Sequence, residues 1–203
     1  DISEPLMITY RINGGYFSRE HWTQDRNSGG GRIIGEVCHF VDFMTFVLGE
    51  KPVSVQAHSL SDGHLYNGDN VSITIEFGDG SVGNIVYVAN GDESFEKERI
   101  EIFGGGQVAV INGFRRLDLI AKGKRKTYKS SWRTDKGHAS EWKAFTNALQ
   151  GTHEQPIPIA DIVTTTLTTF MIEESLRIGR KVDVGYPVFL ENIPALRGSG
   201  DTE

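Results

Sequence analysis

Residues Ser28-Gly29-Gly30-Gly31 lead directly into Arg32-Ile33-Ile34-Gly35-Glu36-Val37-Cys38-His39-Phe40-Val41-Asp42. This stretch is the most informative part of the sequence for both fold and function. Apolar residues recur at spacings of three and four from 33 to 48, which predicts a helix that ends at Gly49. Glycines let a backbone approach a ligand closely, and the start of a helix exposes N–H groups. The sequence therefore predicts a ligand near the first turn of this helix.

Three polar residues in this helix form a candidate acid–base group. Glu36 and His39 are three residues apart, as are His39 and Asp42, so each pair shares a helix face. A carboxylate beside an imidazole suits proton transfer near neutral pH. The alternative is that His39 is a buried histidine on a packed helix and that Asp42 only provides its hydrogen-bond partner. No third or fourth metal ligand is indicated, and Cys38 has no activating partner, so we expect no metal site and an inert thiol.

The surrounding sequence predicts an α+β fold. A strand over 6–12 precedes the glycine-rich loop, and short β-type segments separated by tight turns follow the helix, which makes them antiparallel. They span 53–57, 71–77, 82–89, 99–103, 107–111, 117–121 and 126–129. Helices over 139–149 and 160–179 and a short strand at 182–184 end the pattern. We expect a large, open, mostly antiparallel sheet with helices on one face and no alternating βαβ unit.

Two other motifs carry no function in this interpretation. Residues 78–83, Gly-Asp-Gly-Ser-Val-Gly, match the dinucleotide-binding pattern, but strands flank them on both sides, so a hairpin turn is predicted. The basic residues of 115–129 alternate with apolar ones along a hairpin, which is typical of a solvated strand face. The net charge of −6 also disfavours nucleic-acid binding.

Composition places the chain among ordinary globular proteins. It has 203 residues, 38% of them hydrophobic, and the apolar runs are too short for a membrane span. A single cysteine excludes an internal disulfide framework and fits a cytoplasmic location. We expect one domain over 1–186, a tail over 187–203, and a chain that is part of a longer protein.

Residues 29–42 resemble the signature helix in the C-terminal domain of the Gfo/Idh/MocA oxidoreductases. The segment 52–57, the hairpin at 78–80, the helix around 137–145 and the closing segment 159–184 resemble later parts of that domain, so the resemblance spans about 6–185. It implies a sheet domain like the C-terminal domain of glyceraldehyde-3-phosphate dehydrogenase. The amino-acid sequence of residues 32–42 resembles that of a subgroup in which a zinc-alcohol-dehydrogenase-like segment precedes the Gfo/Idh/MocA part.

The resemblance implies an NAD(P)-dependent enzyme that exchanges a hydride with a sugar or cyclitol hydroxyl or ketone. The cofactor would be held mainly by a nucleotide-binding domain that this chain lacks, and we therefore expect the chain alone to be inactive. The family's catalytic lysine belongs to a Glu-Lys-Pro stretch of that domain. Glu50-Lys51-Pro52 follows a helix end instead, and we interpret it as a coincidence. The alternative is a non-catalytic scaffold or dimerisation module of the same fold.

The resemblance also suggests individual site residues. The family histidine matches His39, whereas the family aspartate position holds Gly35, and Glu36 is the candidate substitute. Candidate substrate contacts are Arg11, Asn13, Tyr16, Trp22, Arg32 and His138. No cofactor-binding or metal-binding residue is assigned.

The uncovered face of the predicted sheet suggests self-association. We expect Ile73, Ile75, Val86 and Val88, or the residues that alternate with them, to lie on this face and to form a homo-oligomer. Neither a nucleic acid nor a membrane is an expected partner.

Overall fold

The computed structural model describes residues 4–61, 65–130 and 137–185, and the expected tail over 187–203 lies outside them. Nine strands form one sheet in this part of the chain, in the order β8-β7-β6-β5-β1-β4-β3-β2-β9. They are β1 Met7–Asn13, β2 Pro52–Ser59, β3 Val71–Phe77, β4 Val82–Val88, β5 Glu98–Gly104, β6 Gln107–Asn112, β7 Arg116–Ala121, β8 Lys124–Lys129 and β9 Val182–Asp183. The helices are α1 Cys38–Leu48, α2 His138–Leu149 and α3 Ile159–Ile178.

The position of β1 makes the sheet mixed. It lies between β4 and β5, parallel to β4 and antiparallel to β5, while the other neighbours pair antiparallel. A parallel neighbour requires a long connection, and the chain from β1 to β4 passes through α1 and the β2–β3 hairpin. The α+β class with a mostly antiparallel sheet is confirmed.

One face of the central strands packs against α1 and α3. Ile73 lies opposite Ile85, and both are fully buried in the same cluster as Met44 of α1 and Ile172 of α3. Gly83 leaves room for Met44, because a β-carbon there would clash with its sulfur. This apolar layer fixes α1 over the middle of the sheet.

The placement of Ile73 and Ile75 on the open face is wrong. Alternate residues of a strand point to opposite faces, and the register sets Ser72, not Ile73, opposite Val86. Both isoleucines are therefore buried under the helices, and Ser72 and Val86 lie on the open face.

The predicted helix over 33–48 has two parts. Residues Ile33–Val37 form a wide π-helical turn, and the regular α1 begins only at Cys38. π-Helical turns are uncommon and occur often at functional sites. None of the described helices combines the length and apolar character that a membrane crossing requires.

Candidate functional site

The glycine-rich loop is held against the start of the helix by its backbone. Gly30 and Gly31 have φ angles of 73° and 83°, which favour glycine. A β-carbon on Gly29 would lie 2.5 Å from the Trp22 carbonyl oxygen, so only glycine fits there. The Asp25 carbonyl accepts hydrogen bonds from the N–H groups of Gly29 and Gly30 at 2.8 and 3.1 Å. This loop is therefore closely packed where the predicted ligand would approach.

Arg32 links the loop, the sheet and the helix. Its guanidinium donates to the carbonyl oxygens of Gly15 and Gly14 at 2.6 and 3.1 Å, and it forms an ion pair with Asp69 at 3.5 Å. It also lies 4.5 Å from the centre of the Phe17 ring. The Arg32 side chain is only 1% exposed. Its donors are engaged by this chain, so the geometry gives Arg32 a structural role, and its predicted contact with substrate remains a prediction.

Glu36 is oriented by two neighbours. Its carboxylate accepts from Arg32 Nε at 2.9 Å and from the Tyr87 hydroxyl at 2.8 Å. Burial raises the pKa of Tyr87, and the hydrogen bond to Glu36 raises it further, although the charge of Arg32 lowers it. The Tyr87 hydroxyl therefore stays protonated and donates to Glu36. The Glu36 side chain keeps 28% of its surface exposed. It is a fixed carboxylate that still reaches the protein surface.

The hydrogen bonds that fix Glu36 do not involve His39. The His39 residue is exposed at the start of α1, whereas the carboxylate of Glu36 is hydrogen-bonded to Arg32 and Tyr87. The charge of His39 acts on Asp42: burial raises the pKa of Asp42, His39 lowers it, and Asp161 of α3 raises it again. The site thus combines the accessible imidazole of His39 with the neighbouring carboxylate of Asp42. The alternative of a buried His39 does not match this exposure.

Aromatic side chains of the loop lie beside this helix start. Tyr16 packs edge-on against Tyr66, with ring centres 5.8 Å apart, and Phe17 stacks on His21 at 4.4 Å. Tyr16 and Trp22 expose much of their ring surface. Both predicted residues are therefore accessible, and their contact with a substrate remains a prediction.

Arg11 and Asn13 are not brought together with His39. Both side chains belong to the face of β1 opposite to α1, because Ile12 between them faces the helix layer. Arg11 donates to the Glu96 carbonyl oxygen and lies over the Phe95 ring, while Asn13 donates to the Asp92 carbonyl oxygen. These contacts fix the β4–β5 loop on the far side of the sheet.

His138 is the first residue of α2, and its side chain is exposed 3.8 Å from Glu141. The preceding Gly137, not His138, occupies the cap position. The described residues contain no cluster of three or more metal-type side chains. Burial raises the pKa of the Cys38 thiol, as expected for an unreactive cysteine.

Three residues of this site were not predicted from the sequence. Tyr87 and Asp69 complete the polar network around Arg32, and Gln24 donates to Asp69 at 2.8 Å. Tyr87 lies 51 positions from Glu36, so no local spacing connects them. The sequence of β4 contained a signal for Tyr87. The alternation that buries Ile85 also buries Tyr87, and a buried tyrosine hydroxyl needs a hydrogen-bond partner.

The chain matches known proteins mainly at the level of fold. A family model described as the GFO/IDH/MocA C-terminal domain matches residues 1–110. Similar solved structures include the aldose-aldose oxidoreductase from Caulobacter crescentus, in complex with glycerol, at 15% identity and a TM-score of 0.73, covering 90% of this chain and 56% of that one. Levoglucosan dehydrogenase with NADH and levoglucosan gives 19% identity and a TM-score of 0.74, covering 91% and 59%.

An oxidoreductase from Agrobacterium radiobacter, in complex with NAD+, L-tartaric acid and magnesium, gives 18% identity and a TM-score of 0.67, covering 90% of this chain and 57% of that one. The chain spans 54% to 60% of the length of such neighbours. No curated protein matches the chain in a sequence search.

Proposed function

The chain belongs to the GFO/IDH/MocA family as a C-terminal domain, and from this premise we propose that it is the substrate-binding part of an NAD(P)-dependent oxidoreductase acting on a sugar or cyclitol. The printed names of similar structures support this substrate class, since they include an aldose-aldose oxidoreductase and a levoglucosan dehydrogenase. NAD+ and NADH occur in the complexes of two of these neighbours.

The observation that carries the proposal is the exposure of His39 near Asp42, in the first turn of α1, which follows the glycine-rich loop and the π-helical turn. An exposed imidazole can take the proton of a carbinol hydroxyl or return one to a ketone oxygen. In this proposal His39 exchanges the proton.

Glu36 has a different task in this proposal. Two of its lone pairs are engaged by Arg32 and Tyr87, which fix the carboxylate, and the exposed part remains able to accept a hydroxyl hydrogen bond. It therefore binds and orients a substrate hydroxyl. The exposed rings of Tyr16 and Trp22 would border the same substrate.

The glycine pattern at 78–83 does not fit a dinucleotide. The pattern at 78–83 forms the turn between β3 and β4, where the Gly80 N–H donates to the Phe77 carbonyl oxygen and a strand follows. A pyrophosphate needs a helix N-terminus after its glycines. We place the NAD or NADP site in a domain outside this chain and expect the chain alone to be inactive.

The open face of the sheet is proposed as a contact between copies of this protein. It carries exposed Met7, Val86 and Phe103 among polar residues, and no described helix covers this face. Met7 and Phe103 lie directly opposite each other on neighbouring strands, and adjoining exposed apolar residues on an uncovered face are suited to a contact between copies.

A non-catalytic scaffold is the second candidate, because Gly35 stands where the family resemblance implies an aspartate. The test is to isolate the full-length protein and measure NAD and NADP reduction with a panel of aldoses and cyclitols. Turnover of at least one of them supports the enzyme. A full-length protein that binds neither dinucleotide and oxidises no member of the panel would support the scaffold.

A further inference from the structure

The N–H groups of Arg32 are all engaged within the chain. A guanidinium has five of them. Nε faces Glu36 Oε1 at 2.9 Å. Nη1 faces the Gly15 carbonyl oxygen at 2.6 Å and Asp69 Oδ2 at 3.5 Å. Nη2 faces the Gly14 carbonyl oxygen at 3.1 Å and Glu36 Oε2 at 3.4 Å. Arg32 therefore has no free donor to offer the carboxylate or phosphate of a substrate.

Of the three charged groups in this network, only Glu36 reaches the surface. The side chains of Arg32 and Asp69 are 1% and 3% exposed, whereas the side chain of Glu36 is 28% exposed. One positive and two negative formal charges leave the network with a net charge of −1. The network therefore presents its negative charge to the solvent at Glu36.

The described segments beside Glu36 do not offset this charge. Residues 33–49, which form the π-helical turn, α1 and its cap, contain no lysine or arginine. On the glycine-rich loop, Arg19 faces Asn67 Oδ1 at 3.5 Å, and Arg26 pairs with Glu173 at 3.6 Å. In the proposed oxidation His39 begins as a neutral base, because it must accept a proton, so it adds no positive charge.

The neighbours of Glu36 both donate hydrogen bonds to its carboxylate. The Tyr87 hydroxyl donates to Oε2 at 2.8 Å, in addition to the two contacts from Arg32. Gly14 makes this arrangement possible, because a β-carbon there would lie 2.8 Å from both the Tyr87 hydroxyl oxygen and Arg32 Nη2. A carboxylate accepts hydrogen bonds and donates none. A substrate group that contacts Glu36 must therefore supply a hydrogen, as a hydroxyl does.

We propose that Glu36 is a specificity-determining residue, which selects a hydroxyl of an uncharged sugar or cyclitol and rejects a substrate with a carboxylate or phosphate in that place. This inference rests on the proposed function. An anionic group there would face a like charge and would lose its hydration without gaining a donor.

Paired substrates measure this selectivity in the full-length protein. We would determine kcat/KM for an aldose or cyclitol that the enzyme oxidises, and for counterparts that carry a carboxylate or phosphate at each available position. The counterpart with the lowest kcat/KM places its anionic group at Glu36. We expect its kcat/KM to be at least about tenfold below that of the neutral substrate, as like charges at a partly screened surface predict.

Substitutions of Glu36 separate the effect of its charge from the effect of its shape. Glu36→Gln keeps the size of the side chain and one acceptor oxygen but removes the charge. It should reduce the preference for the neutral substrate about tenfold, whereas Glu36→Asp, which keeps the charge, should retain most of it.

Glu76→Gln is the matched control. Glu76 is likewise held by a hydroxyl and a cation, those of Ser54 and Lys181. It lies next to the turn of the β3–β4 hairpin, whereas Tyr87 lies at the open end of that hairpin. This control should leave the preference unchanged.

The salt dependence of the wild-type preference gives a second measurement that requires no variant. Salt screens charges at a surface, so the preference should shrink several-fold between about 0.05 and 0.5 M NaCl. The preference of Glu36→Gln should not change over this range.

A wild-type enzyme that oxidises every anionic counterpart as efficiently as the neutral substrate would overturn the inference. So would a preference that salt does not reduce, or a folded and active Glu36→Gln enzyme that keeps the wild-type preference. The two proposals fail separately. A full-length protein that oxidises neither neutral nor anionic members of the panel contradicts the proposed function, whereas one that oxidises both equally well contradicts only the selectivity assigned to Glu36.

Discussion

Replacing Arg32 with methionine tests the polar network that holds the site together. Methionine keeps much of the volume but removes the cation that faces Asp69 at 3.5 Å and Glu36 at 2.9 Å. Asp69 is then an unpaired carboxylate in a buried position, and the carbonyl oxygens of Gly14 and Gly15 lose their donors. Breaking one partner of a buried ion pair costs about 3–5 kcal/mol, so we expect a loss of ~4 kcal/mol in the free energy of unfolding.

Urea denaturation of the chain, followed by circular dichroism, measures this loss. Arg26→Met is the matched control, because Arg26 forms an exposed ion pair with Glu173 at 3.6 Å, and its loss should cost less than about 1 kcal/mol. The double variant Arg32→Met/Asp69→Asn should recover part of the stability, since the neutral amide needs no counter-charge. A cost of Arg32→Met below about 1 kcal/mol, or a double variant as unstable as the two single losses added, would show that Arg32 does not stabilise the buried carboxylate of Asp69.

Three further changes test other parts of the structure. Gly29→Ala should destabilise the chain by at least about 2 kcal/mol in the same urea assay, because its β-carbon would meet backbone atoms of Trp22 and Thr23; an effect below ~0.5 kcal/mol would contradict the loop packing. Burial holds the pKa of Asp42 above its ordinary value, so the folded state binds this proton more tightly, and stability should fall as pH rises from the usual aspartate range through the folded pKa. Asp42→Asn should remove that fall, and an unchanged pH profile would argue against the shift. Val86→Glu on the open face should convert the proposed oligomer to monomer in light scattering, and an unchanged mass would exclude this face as the contact.

The strands were predictable because their signals are local. Alternation in β3 and β4 and the glycines at 78 and 80 define that hairpin without reference to any other part of the chain. The insertion of β1 beside β4 was not predictable in the same way. It depends on a pairing across more than 70 residues that the sequence pattern does not specify.

The candidate site was predicted only in part for a similar reason. The glycine run and His39 are adjacent in sequence, so the helix start and its imidazole could be located from the pattern. The partners of Glu36 could not, because Tyr87 comes from a distant strand and the π-helical turn changes the direction of residues 33–37. Sequence spacing assumes a regular helix, whereas Glu36 lies in the π-helical turn and His39 lies in α1.

The contribution of His39 to turnover is the most direct test of this account. The measurement is kcat/KM of the full-length protein on a substrate from the panel, for the wild type, His39→Ala and the control His153→Ala at an exposed loop position. We expect a loss of about 10²–10⁴-fold for His39→Ala and none for the control, as is typical when a general acid–base group is removed. A His39→Ala protein that is folded and retains the wild-type kcat/KM would contradict it.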